Sequence, residues 1–366
     1  MELEYKPDWD ETKKRMSAWW AHEDFGRCAI AITAGKSGPK YEEPPRLPDK
    51  KEDWWFDFDY LHAIHEYRMK HTFYGGESIP IWNTGDGWLN IAGFVGCPVR
   101  LDEETGWADP IIAVGELTDY DYHKIVVDPS NPWWIYSDRI HRFAAKEARG
   151  KSIPAIQALG GAADTLSAIR GTQQLILDVI DHPDYVREFD MYLMKQWIEV
   201  YEKFYAITRD VAEGSTTWPG NHIWAPGRFY FAMCDFSYMI STKMFVNIFM
   251  PSLDMQVDYL NYPLYHLDGV RAFAHVDALL TELPKLRGFQ IVPGDGQPNA
   301  LHYMAMLKKI QRAKKNLVLL LPPEDVETAL DNLSSQGLFI VTRCKTEEDA
   351  IHLLHKVEKL SRVRQV

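Results

Sequence analysis

No run of apolar residues in this chain reaches the roughly 18 that a membrane-spanning helix requires. The N-terminal stretch MELEYKPDWDETKKRM is charged throughout and has no apolar centre, so a secretory signal is not expected and a cytoplasmic location is. Cysteine is scarce: Cys28, Cys97, Cys234 and Cys344 are scattered without a C-x-x-C pair, which leaves free thiols as the expectation in a reducing compartment. Excess positive charge is missing too. The formal net charge of -12 disfavours nucleic acid as a partner, because the phosphate backbone would be repelled. GGAADTLSAIRG lacks the G-x-x-x-x-G-K-[ST] pattern of a phosphate loop, and GDGQPN is no dinucleotide fingerprint. Repeats, low-complexity tracts and linkers are absent.

What the chain does contain is a globular balance, 46% apolar and 25% charged over 366 residues, with 13 Trp available for packing or for lining a pocket. Its C-terminal third alternates short apolar runs with amphipathic segments. YPLYHL, RGFQIV, NLVLLL and GLFIVTR read as buried strands, and each is followed by a helical pattern, the last opening on Thr346 before Glu347, Glu348 and Asp349. KSIPAIQAL and ESIPIWNTG read as earlier strands, GGAADTLSAIRG as a turn, and LILDVIDHPDYVREFDMYLMKQWIEVYEKFYAIT as one or two long helices. PGNHIWAPGRFYF reads as a long loop. A single α/β domain of the (β/α)8 barrel type follows, over residues 71–366, with residues 1–70 as a helical and loop extension packed on it.

Barrel enzymes work at the C-terminal ends of their strands. The polar or aromatic strand-end residues are therefore candidates as a class: Asn83, Asp164, Trp218, Asp235, His266, Asp268, Asp295 and Cys344. His266 and Asp268 lie two apart in YHLDG and so share one face of their strand. With Cys344 at the end of the last strand they form a zinc-competent set, because His, Asp and Cys are all zinc ligands and a catalytic zinc keeps three of them with one open position. The bland alternative is a His–Asp hydrogen bond beside a buried apolar cysteine. Asp235 is either a helix cap or a binding group, Asp164 a turn carboxylate, and His275 and Asp277 surface or capping groups.

Several segments resemble the uroporphyrinogen decarboxylase superfamily: ALGGAADTLSAIRGTQQLILDVIDHPDYV, FSYMISTKMFVNIFMPSLDMQVDYL, YHLDG, GFQIVPGDG and GLFIVTRCKTEEDA. The resemblance spans roughly residues 70 to 360 as an order and spacing of motifs. It implies a (β/α)8 barrel. True decarboxylases of the family carry an arginine-rich motif of the type RQAGRY, where this chain has DFGRCAIAITAGKSG with Arg27 alone. Their catalytic aspartate sits in a motif of the type FSDI. The comparable SIPIWNTGDGW has Asn83 at that place and Asp86 just beyond. Decarboxylation of a porphyrinogen is not expected.

The superfamily's other branch, the corrinoid-dependent methyltransferases, binds zinc through H-x-C and a later Cys. YHLDG occupies the H-x-C-G place, with Asp268 where the first Cys would be, and Cys344 follows 76 residues later. The resemblance thus implies a methyltransferase with zinc on His266, Asp268 and Cys344. A corrinoid (cobalamin) would be supplied by a partner protein, and Trp82, Asn83, Trp218, Trp224 and Asp235 would bind a small methyl donor or acceptor. An Asp in place of a Cys makes the zinc a harder Lewis acid. Two alternatives stand beside it: a zinc-free lyase of a smaller acid using Asp268 or Asp235, and a non-catalytic small-molecule-binding barrel.

Overall fold

The computed structural model describes residues 2–38, 42–50, 53–85, 90–101 and 106–365. Asp86 lies outside them. Its largest element is a seven-stranded sheet in the order Thr72–Gly76, Ala29–Gly35, Leu338–Thr346, Asn316–Leu320, Gly288–Val292, Tyr262–Asp268, Phe229–Ala232. Every neighbouring pair is parallel except the first, in which Thr72–Gly76 runs antiparallel to Ala29–Gly35. The parallel strands, largely buried on both faces, are rich in Ile, Val, Leu, Phe and Ala, as a parallel sheet covered by helices demands.

A second strand group holds Ile81–Trp82 parallel to Ile153–Pro154, with a parallel bridge from Ile156 to Thr217. It joins the large sheet at two places. At one, the chain leaving Thr72–Gly76 turns directly into Ile81–Trp82, and the Glu77 amide donates to the Ile30 carbonyl. At the other, side chains take over from the ladder: the Phe229 amide donates to Ser215 Oγ (2.9 Å), and the Leu159 amide donates to the Tyr230 hydroxyl (2.5 Å).

The four C-terminal strand–helix units stand where the apolar runs put them, and Thr346 caps Glu347–Leu360 by accepting from the Asp349 amide at 3.1 Å. The long helical stretch divides in two, Thr172–Asp181 and Pro183–Ala212, because Pro183 can begin a helix but cannot continue one. Three segments differ from the sequence reading. PGNHIWAPGRFYF, read as a long loop, holds the short strand Trp224–Ala225 and runs into the buried sheet strand Phe229–Ala232. GGAADTLSAIRG is a turn only at its glycines, and Ala162–Arg170 is helical, with Leu166 and Ile169 in the core. Ala29–Gly35 lies in the stretch read as extension, yet it is a strand hydrogen-bonded on both sides.

The N-terminal segment also closes the antiparallel edge. The ammonium of Lys6, buried and held by Asp8, donates to the carbonyls of Tyr74 (3.0 Å) and Gly76 (2.8 Å). Nearby, Glu77 is fully buried and takes a two-pronged grip from Arg27, at 2.7 Å on each oxygen, together with bonds from Arg15 and the Ile30 amide. Arg27, the one arginine of DFGRCAIAITAGKSG, is therefore spent inside the protein.

Candidate metal centre at the strand ends

The strand Tyr262–Asp268 alternates strictly enough to put His266 and Asp268 on one face, as their spacing predicts. The short 3-10 turn Asp235–Met239, which follows the Phe229–Ala232 strand, brings a third carboxylate. One ligand atom from each of Asp235, His266 and Asp268 can be chosen so that all lie within 4.8 Å of one another. No other group of three or more His, Cys, Asp or Glu of this kind forms among the described residues.

The imidazole is oriented from behind. Gln290, paired with His266 across the ladder, sends its amide nitrogen to Asn221 Oδ1 (2.6 Å) and turns its carbonyl oxygen to His266 Nδ1 (2.6 Å). A carbonyl can only accept, so Nδ1 carries the hydrogen and Nε2 keeps its lone pair for a ligand. Asn221 arrives on the turn Pro219–Asn221, flanked by Trp218 and His222, which both have left-handed backbones (φ +48° and +53°). Such conformations cost about 1–3 kcal/mol each and collect at functional sites. They set the Trp218 ring edge-on to His266, with centroids 4.7 Å apart. Removal from water lowers the His266 pKa, against the opposing pull of Gln290 and Asp268.

The acids repel one another. Asp235 has an open rim-facing surface, but protein crowds its carboxyl. Desolvation first, then the charges of Asp164 and Asp268, push its pKa up to about 8. Asp164 Oδ1 accepts the Phe236 amide at 3.0 Å and so anchors the turn carrying Asp235. Its other oxygen is buried without a partner, and desolvation raises its pKa as well. Among the described residues no Lys or Arg forms an ion pair with Asp164, Asp235 or Asp268. Like charges gathered without a counter-charge are what a cation would relieve.

Beside the cluster a cleft of about 320 Å³ opens between Asp235, Tyr238, Met239, Asp268, Gly294 and Asp295. Gly269 forms its floor with φ +80°, and a side chain there would meet the Tyr238 ring at 2.6 Å. His275, expected at the surface, is buried instead. Its Nε2 meets the Ser237 carbonyl at 3.0 Å and steadies the same turn.

The other sequence candidates go elsewhere. The Cys344 thiol is outside the three-residue group; burial raises its pKa, and its charged neighbour is Asp349 of the following helix. A register irregularity between Thr33 and Gly35, opposite Arg343–Thr346, falls at this point and disturbs the strand's alternation. Trp224 is a core residue, edge-on to Trp9 at 5.3 Å, with its indole N–H given to the Ala212 carbonyl. Trp82 is fully buried under His65, stacked at 4.4 Å. Asn83 lines a separate cleft. Gln290 and Asn221 were not singled out in the sequence, and nothing local to either residue points to the site.

No family model matches the chain, and no curated protein does. A solved structure does. A methyltransferase from Methanosarcina mazei shares the fold with a TM-score of 0.59, over 95% of this chain and 98% of that one, at 9% sequence identity. The likeness extends over essentially the whole of both chains, and it is a likeness of fold. No helix among the described residues is long and apolar enough to cross a membrane.

Proposed function

We propose that this chain is a metal-dependent methyltransferase of the corrinoid-using type, built on a closed (β/α)8 barrel. The observation that carries the reading is the cluster Asp235–His266–Asp268, with His266 held in the ligand-ready tautomer by Gln290 and Asn221. One nitrogen and two carboxylate oxygens fit zinc with a position left open, and are harder than the sulfur-containing set expected from the sequence. Zinc held there would polarise the heteroatom bearing a methyl group, or keep a thiol acceptor as its thiolate. The full-length fold likeness to a methyltransferase supports the same reading.

Within it, the chain's own residues have distinct tasks. His266 and Asp268 offer ligands from one rigid strand, while Asp235 gives up its proton to become the third. Asp164 and His275 fix the turn on which Asp235 sits. Trp218 shields the imidazole from water, and the cleft walled by Tyr238 and Met239 admits the small substrate. The methyl group would pass to or from a corrinoid carried by a separate protein.

A second reading has its own observation. The Asp235 carboxyl is held protonated at neutral pH when no cation is present, so it could deliver a proton to a carbanion left by loss of CO2 from a small acid, with no metal at all. Metal analysis with an activity assay separates the two. Protein purified with zinc present should carry near one zinc per chain and move a methyl group to cob(I)alamin, seen in the cobalamin absorption. Metal-free protein that decarboxylates a small acid supports the lyase. Protein with neither metal nor turnover points to a binding barrel.

A further inference from the structure

A second cleft, sharing no residue with the metal cluster, lies over the C-terminal end of the Ile81–Trp82 strand. Its walls come from four elements. The helix Phe58–Lys70 presents Tyr60, Leu61, Ile64, His65 and Arg68, three- and four-residue steps that mark a single helix face. The helix Pro132–Glu147 adds Tyr136 and Ile140, one turn apart. Trp54 and Trp55 come from the short helix Asp53–Phe56, and Asn83 to Gly85 close the floor. The aromatic walls are fixed by hydrogen bonds: the Trp54 indole donates to the Pro48 carbonyl at 2.7 Å, and the Tyr136 hydroxyl donates to the Trp55 carbonyl at 2.6 Å.

Two features narrow the ligand. The cavity measures about 270 Å³, just under the roughly 300–1,000 Å³ of drug-sized sites; that is room for one substituted ring. Among the described residues that line it, charge is of one sign: Arg68 contributes an exposed guanidinium with no hydrogen-bond or ion-pair partner among the described residues, and none of the described lining residues is Asp or Glu. An aromatic box without an acid, with an arginine at its edge, is mismatched to a methylated cation and matched to an anion.

We infer that this cleft binds a small aromatic carboxylate, its ring between Trp54, Trp55, Tyr60 and Tyr136 and its carboxylate on Arg68. The inference does not depend on the metal centre: a metal-free protein should bind the same ligand.

Calorimetric titration of the full chain with benzoate tests this, with benzamide as neutral isostere and trimethylanilinium as cation. Saturable benzoate binding is expected at up to millimolar dissociation constants, with benzamide weaker by about tenfold or more and trimethylanilinium not bound. Arg68→Ala should weaken benzoate by a similar factor and leave benzamide unchanged. Because Arg68 is exposed and unpartnered, the variant should keep the parental Tm. The indole N–H resonances of Trp54 and Trp55, assigned through Trp54→Phe and Trp55→Phe, should shift on adding benzoate. The inference is overturned if benzoate shows no saturable binding, if Arg68→Ala binds it as tightly as the parent, if trimethylanilinium binds equally well, or if neither indole signal moves.

Discussion

His266 and Gln290 face each other across adjacent strands with Nδ1 and Oε1 2.6 Å apart, and this one contact decides which ring nitrogen can meet a metal. Partners of this kind typically govern metal affinity by 10–100-fold. Gln290→Ala should therefore weaken zinc binding by about that factor while His266→Ala abolishes it, as read by competition with a chromophoric chelator. Equal affinity in Gln290→Ala and the parent would remove the orienting role.

Cys344 and Asp235 make opposite predictions. Cys344→Ser should retain the parental zinc content, because the thiol stands outside the cluster. Asp235→Ala should lose most of it, since one of three protein ligands goes. Metal analysis of the two purified variants shows which residue completes the set, and loss on Cys344→Ser alone would restore the ligand set expected from the sequence.

The Asp235 pKa of about 8 in the metal-free protein has two consequences with definite signs. Its folded pKa lies above the unfolded carboxylate value, so its contribution favours folding below about pH 4 and is lost progressively as pH rises to about 8. The Tm of metal-free protein should accordingly fall less over that window in Asp235→Asn than in the parent. Zinc binding near neutrality should release a proton from Asp235, visible as a buffer-dependent enthalpy in calorimetry.

Arg27→Ala should be a stability variant and not a substrate-binding one. It takes the bidentate partner from the buried Glu77 carboxylate and leaves only Arg15 and the Ile30 amide, a loss of up to about 3–5 kcal/mol for a broken buried pair. Glu77 has a pKa lowered by Arg27 despite its burial, so its stabilisation is present above the unfolded value and fades as pH falls. Denaturant titration measures the loss. With Arg27 occupied, uroporphyrinogen III should not be decarboxylated, and detection of coproporphyrinogen by absorption after oxidation would contradict this.

Trp224→Ala is expected to cost about 3–5 kcal/mol, as a large-to-small change in a packed core. Any variant protein that remains folded should keep its substrate affinity. A selective rise in KM without loss of stability would return Trp224 to the pocket.

Period-two spacing made the His266–Asp268 pair legible, and apolar runs with capped helices made the four C-terminal strand–helix units legible. Ala29–Gly35 was harder to read because AIAITAG is short and half small residues, and its burial comes from strands formed by chain more than 300 residues away in Leu338–Thr346. The orienting amides were illegible for a similar reason. Asn221 and Gln290 are 69 positions apart, and nothing near either residue announces the contact. Trp218 and Trp224 occur in similar Trp/Pro/Gly-rich sequence, yet one meets His266 and the other Trp9. Only the course of the loop between them separates a site residue from a core residue.

The reach of Lys6 to the carbonyls of Tyr74 and Gly76 has a consequence for the molecule in solution. Thr72–Gly76 ends the hydrogen-bonded order of the seven-stranded sheet, and open carbonyls at such a place are a template for pairing with another chain. A buried ammonium on those acceptors leaves neither carbonyl open to another chain. Protein clipped between Lys6 and the first helix would keep its strand ends and cleft but expose a sticky border, so its first symptom would be aggregation in concentrated samples.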